Sequence, residues 1–221
     1  MPFSLAAACR WAGLAAWVAL GVEARAAVDD PWRAIETLRA ALAADGPLAA
    51  DFRQSYVPAG FTTGDTEAGG IALSLPDCLR WDYTDPDRKS FLVCGARAWS
   101  WIEGEPRGQR FTIEADRETG LDLLLLPAAE LAARYRASAQ RAADQALEIV
   151  LEPLAADGPI AVANLTLAHD GRRIEALDWR DREGSVTSFR FSRWRALADG
   201  DRFAPPLAIE WSDPGDAAGV R

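Results

Sequence analysis

The chain has 221 residues, 49% hydrophobic and 26% charged, which is enough to bury a large core as one domain or two small ones without a disulfide or metal staple. Its formal net charge of −9 excludes a broad basic footprint, so nucleic acid is not an expected partner. One histidine and three cysteines leave little material for a transition-metal site or a histidine-centred triad.

Residues 6–22, AAACRWAGLAAWVALGV, are apolar apart from Arg10, and Ala24-Arg25-Ala26 reads as an A-x-A cleavage site. Residues 1–26 are therefore expected to be a secretory signal peptide. The 12 residues between Arg10 and Glu23 are short for a membrane span. Cys9 precedes the apolar run instead of ending it, which argues against lipid attachment there. The mature chain, 27–221, is expected to be soluble and exported.

Asp29-Asp30-Pro31 opens a helix, with an aspartate cap and proline in the first turn. Trp32, Ile35, Leu38 and Leu42 fall on one stripe of it, and Gly46-Pro47 stops it. From Ala49 to about Thr112 apolar and polar residues alternate between Gly and Pro punctuation, the pattern of strands. Residues 119–141 read as a helical segment interrupted by Pro127. Strands resume at 146–152, 161–168, 172–180 and 185–195, and a Gly/Ala/Asp-rich tail follows from Asp213. No repeat or linker divides the chain. The order helix, strands, helix, strands predicts an α+β domain, one antiparallel sheet with helices on one face.

The stretch Leu75–Glu103 assigns its own faces. Asp85-Pro86-Asp87 is a turn signal, and folding about Pro86 pairs Leu79 with Val93, Trp81 with Phe91, Cys78 with Cys94, Arg80 with Leu92 and Asp82 with Ser90. A second turn over Gly95–Arg97 sets Trp99 beside Val93 and Trp101 beside Phe91. One face then carries Leu79, Trp81, Phe91, Val93, Trp99 and Trp101, and the other is largely polar; a slip of one residue would mix them. Apolar alternation continues at Ile71, Leu73 and Leu75, at Phe111 and Ile113, at Leu147, Ile149 and Leu151, and at Phe189 and Phe191. Two readings stand: a core under a helix, or the wall of an apolar ligand cavity. Cys78 and Cys94, directly opposed in an exported chain, are expected to form a structural disulfide, with two buried thiols the alternative.

Catalytic patterns are not found. His169 sits before a turn in LAHDGRR, no G-x-S-x-G elbow or phosphate loop occurs, and no carboxylate pair stands out from the general acidity. An enzyme is not expected, nor a metal or cofactor.

Several motifs, in order along residues 30–212, resemble the LolA family of outer-membrane lipoprotein carriers. Ala50-Asp51-Phe52-Arg53-Gln54 is similar to that family's A-x-F-x-Q, and Leu75-Pro76-Asp77-Cys78-Leu79-Arg80-Trp81-Asp82-Tyr83 to its R-P-x-x-F-R-W-x-Y. Leu92–Trp99 resembles its L-V-S-D-G-x-x-L-W hairpin, Asp181–Phe191 its D-x-x-G strand, and Phe203-Ala204-Pro205-Pro206 its F-x-P-P ending.

The resemblance implies an incomplete, strongly curved antiparallel half-barrel, spanning 27–212, with a helical lid enclosing an apolar cavity. It implies a monomeric periplasmic carrier that takes acylated lipoproteins from an inner-membrane release complex, shields their acyl chains and delivers them to an outer-membrane receptor. The expected cavity residues are Phe52, Leu73, Leu79, Trp81, Phe91, Val93, Trp99, Trp101, Phe111, Ile113, Phe189 and Phe191, and the lid residues Trp32, Ile35, Leu38, Leu123, Leu124 and Leu126. The family's lid-latching arginine is replaced by Leu75. That departure gives weight to an alternative cargo, another outer-membrane amphiphile of glycolipid or aryl polyene type. A receptor of the same fold would need a lipidated cysteine just after its signal peptide, and sensor relatives carry a second domain after the barrel; neither is expected here.

Overall fold

A computed structural model describes residues 30–113, 122–198 and 200–213. The expected signal segment, 1–26, lies outside the described residues.

The first helix, α1 (Pro31–Ala44), begins as its sequence dictates. Asp30 is extended and its carboxylate accepts from the Arg33 amide at 3.0 Å, with proline at the first turn. Its buried stripe is Ile35, Leu38, Ala41 and Leu42. Gly46 leaves the helix at φ +73°, a conformation that glycine adopts without steric cost. Asp45 accepts from Arg172 at 3.3 Å and from Arg173 at 2.6 Å, which ties the end of the helix to a distant turn.

The strands are β1 (Leu48–Val57), β2 (Asp65–Ser74), β3 (Cys78–Asp85), β4 (Lys89–Cys94), β5 (Arg97–Ile102), β6 (Arg107–Thr112), β7 (Tyr135–Arg141), β8 (Leu147–Pro153), β9 (Ile160–Leu167), β10 (Ile174–Asp181), β11 (Val186–Ala196) and β12 (Glu210–Ser212). Two short helices, α2 (Asp122–Leu125) and α3 (Ala128–Arg134), lie between β6 and β7. Among the described residues the strands form one sheet ordered β12-β6-β5-β4-β3-β2-β1-β11-β10-β9-β8-β7, antiparallel except for the β12–β6 pair. Its two ends, β12 and β7, do not pair, so the sheet is not closed into a barrel.

The helical reading of 119–141 needs correction in its second half: Tyr135–Arg141 is a strand paired with β8. The segment is rich in Ala, Arg and Gln, good helix formers, but Tyr135, Ala137 and Ala139 alternate onto the apolar face opposite Pro153, Leu151 and Ile149. Sheet burial overrides propensity there.

The hairpin of β3 and β4 has the expected register, with Cys78 opposite Cys94, Leu79 opposite Val93 and Trp81 opposite Phe91. The next hairpin does not. Its turn is the two residues Gly95-Ala96, with Gly95 at φ +57°, so Cys94 pairs with Arg97, Val93 with Ala98 and Leu92 with Trp99. One residue fewer in the turn moves every following side chain to the opposite face. Trp99 and Trp101 therefore share the outer face with Arg80 and Leu92 and do not line the inner one.

Trp101 anchors the C-terminal segment instead. After β11 the chain crosses the outer face through a 3-10 turn (Gly200–Phe203) to reach β12. The Arg80 guanidinium donates to the Arg202 carbonyl at 3.0 Å and lies 5.0 Å from the Trp101 ring, which meets Trp211 edge to face at 5.9 Å. Beneath this crossing, Cys78 and Cys94 form a disulfide that closes a sequence separation of 16. A loop of that length stabilises by ~3 kcal/mol in the chain-entropy account. Denatured protein should therefore show two more reactive thiols after reduction than before; equal counts would rule the bridge out.

Candidate functional site

The inner face of the sheet is one apolar surface. β1 contributes Leu48, Ala50 and Phe52, β2 Ile71 and Leu73, β3 Leu79 and Trp81, and β11 Phe189 and Phe191. On the far side β8 to β10 add Leu147, Ile149, Leu151, Leu165, Leu167 and Leu177 to the same cluster. The alternation of these strands puts every second residue on this face. Helix residues Ile35, Leu38, Leu42, Leu123, Leu124, Ala128 and Leu131 pack on it and complete the cluster.

Aromatic rings concentrate at its centre. Phe189 stacks with Phe191 at 6.0 Å and with Trp179 at 5.7 Å, and touches Phe52 at 5.8 Å and Trp81 at 6.1 Å. Phe52 continues edge to face into Tyr83 at 5.0 Å, and Tyr83 into Phe91 at 5.9 Å. Towards the ends of these strands the surface becomes polar. The Tyr83 hydroxyl donates to Gln54 Oε1 at 2.6 Å. Lys89 Nζ pairs with Glu67 at 2.6 Å and sits 4.7 Å over the Tyr83 ring. Burial, reinforced by the Glu67 charge, pushes the Tyr83 phenol well above its ordinary pKa, so it remains a donor at neutral pH.

Trp81 is 2% exposed and its indole Nε1–H makes no hydrogen bond among the described residues. A buried donor left unpaired costs about 1–3 kcal/mol.

The covering helices are held by a directed contact as well as by apolar packing. Arg39, half-buried on α1, donates from Nη1 to the Leu124 carbonyl of α2 at 3.1 Å. Burial lowers its pKa, opposed by the charge of Glu130 on α3. Leu75, where the resemblance implies an arginine, is half-buried in the β2–β3 turn against the apolar cluster.

Of the expected cavity residues, Phe52, Leu73, Leu79, Trp81, Val93, Phe189 and Phe191 are buried, with Phe91 partly buried against the cluster. Phe111, opposite Ala98, and Ile113 are half-buried near the β12 edge, and Trp99 and Trp101 are on the other face. Of the expected lid residues, Ile35, Leu38, Leu123 and Leu124 are buried, while Trp32 and Leu126 pack at the margin. Tyr83, which closes the R-W-x-Y-like motif, and Trp179 belong with the aromatic centre although neither is among the expected cavity residues; each alternates in phase with an inward neighbour, Trp81 and Leu177. His169 is exposed in the β9–β10 turn, away from this face. The arrangement can shield an apolar chain and offer it one buried donor.

Residues 47–204 match the protein family described as outer membrane lipoprotein carrier protein LolA. The outer-membrane lipoprotein carrier protein of Xanthomonas oryzae pv. oryzae is 25% identical over 173 residues, 74% of this chain and 80% of that protein. The protein of the same name from Xanthomonas campestris pv. campestris is 23% identical over 172 residues, with the same shares. Among solved structures, an uncharacterized conserved protein from Thermus thermophilus superposes with a TM-score of 0.53, over 82% of this chain and 97% of that one, at 10% identity.

Proposed function

The chain belongs to the LolA family of outer-membrane lipoprotein carrier proteins, and we propose that it is a soluble periplasmic carrier that shields the acyl chains of lipoproteins between inner and outer membrane. The observation that carries this reading is the continuous apolar inner face covered by two very short helices and α1. In this reading residues 1–26 direct export and are removed. An inner-membrane release complex loads the carrier, and an outer-membrane receptor unloads it.

The magnitudes suit exchange. Uncovering a buried leucine costs about 1.5–3 kcal/mol, and Leu123, Leu124 and Leu131 together hold α2 and α3 on the sheet. Each acyl methylene that takes their place contributes about 0.8 kcal/mol, so roughly ten methylenes offset the loss of all three. Loading is then near balance, which allows cargo to be handed on, and the lid must move in every cycle. The unpaired Trp81 N–H fits the same reading, because an ester or amide carbonyl at the head of an acyl chain would accept from it.

Leu75 supports a second cargo class. An apolar side chain in place of the family's arginine suits a carrier for another outer-membrane amphiphile, a glycolipid or an aryl polyene product. Native mass spectrometry of protein isolated from a periplasm distinguishes the two. An adduct with the mass of an acylated polypeptide is expected for the lipoprotein carrier, and a smaller lipid or pigment adduct would shift the cargo to the second class. Protein that stays free of adduct, and takes up no acylated peptide on incubation, would overturn both.

A further inference from the structure

The outer face of the sheet carries a concentration of positive charge that lipid carriage on the inner face does not use. Arg53 on β1, Arg190, Arg193 and Arg195 on β11, and Arg202 on the crossing segment line one groove of about 650 Å³, with Asp51 and Asp82. Arg190 is paired with Asp178 at 2.7 Å, so the five guanidinium groups face three carboxylates; against the chain's net charge of −9 this is still a reversal of sign.

The backbone is arranged to produce it. Opposite β1 the register of β11 shifts between Ala49 and Asp51, a bulge that sets two residues of β11 against one. Within it Arg193 is at φ +54°, a left-handed conformation uncommon for a side-chain-bearing residue. Trp194 keeps its place against the core, donating from Nε1 to the Ile174 carbonyl at 2.9 Å. Arg193 and Arg195 therefore both reach Asp51, where regular alternation would have sent Arg193 inward. A bulge that re-aims a charged side chain is a common device beside functional surfaces.

The floor is built of small residues. Ala68, Gly69 and Gly70 of β2 form part of the lining, and a Cβ at Gly69 would come within 2.0 Å of the Asp82 carbonyl oxygen, so this position has to be glycine. Arginines stand around the floor and remain largely open to solvent: the Arg193 side chain is 79% exposed and that of Arg195 54%.

We propose that this groove over β1, β2 and β11 docks an acidic, extended polypeptide segment of a partner protein. Guanidinium forks match carboxylates in geometry and charge, and Arg80 and Arg195 here already pair with Asp82 and Asp51, each through a single nitrogen. The concave shape favours a chain over a membrane plane. A membrane-surface patch places apolar anchors among its basic residues, whereas none of the exposed large apolar residues, Tyr56, Phe61, Ile102, Leu154 and Leu207, lines the groove. The proposal is independent of the cargo held on the opposite face.

The test is a fluorescence-anisotropy titration of purified protein with a labelled Glu/Ser-alternating dodecapeptide, its Gln/Ser counterpart, and vesicles containing phosphatidylglycerol. The glutamate peptide is expected to bind, the glutamine peptide not to, and affinity to fall ~10-fold between about 20 and 150 mM salt. The double variant Arg53→Glu, Arg193→Gly should weaken binding by a further ~10-fold or more, since glycine keeps the bulge conformation and Asp51 keeps Arg195. Arg53→Glu alone, at an exposed strand position, gives the same direction without touching the bulge. Parent-like affinity in both variants, equal binding of the two peptides, or binding to vesicles with none to the glutamate peptide would each overturn the proposal.

Discussion

Phe91→Asp should reduce binding of a fluorescent fatty acid or an acylated peptide by about two to four orders of magnitude while the protein stays folded. Phe91 is half-buried at the margin of the aromatic cluster, opposite Trp81 and in edge contact with Tyr83. Losing the ring removes ~1.5–3 kcal/mol of apolar contact with cargo. A carboxylate in its place must then be desolvated against the acyl chain, for at least ~1–3 kcal/mol more. The sum of ~2.5–6 kcal/mol corresponds to about two to four orders of magnitude. Lys89 does not neutralise the new charge without giving up Glu67. Trp81→Asp would be less informative, because at 2% exposure the unpaired charge would unfold the sheet. The matched control is Trp101→Ser, on the outer face, which should leave binding unchanged. Calorimetric melting of each variant separates folding from uptake. Undiminished binding by Phe91→Asp would remove the inner face as the cargo site, and loss of binding by Trp101→Ser would move the site to the outer one.

That pair of variants rests on the point where the sequence was readable on one side of a turn and not on the other. From Cys78 to Cys94 the apolar pattern and the Asp85-Pro86 turn leave only one register that separates the faces, and that register is present. Beyond Cys94 the tryptophans are compatible with either face. Their side depends on whether the turn holds two residues or three, and Gly95 supports both lengths. The decisive partners of Trp101, Arg80 on the same face and Trp211 at the far end of the chain, come together only through tertiary structure. Residues 135–141 were obscure for a different reason: the inward positions Ala137 and Ala139 carry almost no hydrophobic contrast, so a period of two is invisible beside strong helix formers. The helix α1, its aspartate cap and its buried stripe were legible because each signal is local. The basic groove was not legible, because its arginines come from β1, β11 and the crossing segment and meet only across the sheet.

Arg39→Met should loosen α2 and α3 without unfolding the sheet. Methionine keeps the apolar stem of Arg39 but removes the donor to the Leu124 carbonyl. A hydrogen bond from a charged group is worth about 1.5–3 kcal/mol, so local opening should become ~10- to 100-fold more frequent. Amide hydrogen exchange across 122–134 should accelerate by that factor, while β1 and β11 exchange as in the parent. Loading of an acylated peptide should become faster, because the same opening uncovers the part of the apolar face on which Leu123, Leu124 and Leu131 pack. Release should also become faster, so affinity changes less than either rate. This is the signature of a latch that gates access, as opposed to a residue that contacts cargo, whose loss would raise the dissociation rate alone. Unchanged exchange in 122–134 would show that the leucines hold the helices without Arg39. The question of what replaces the arginine missing at Leu75 would then turn to the packing of α3, where Leu131 is 1% exposed and Leu131→Ala is the corresponding variant.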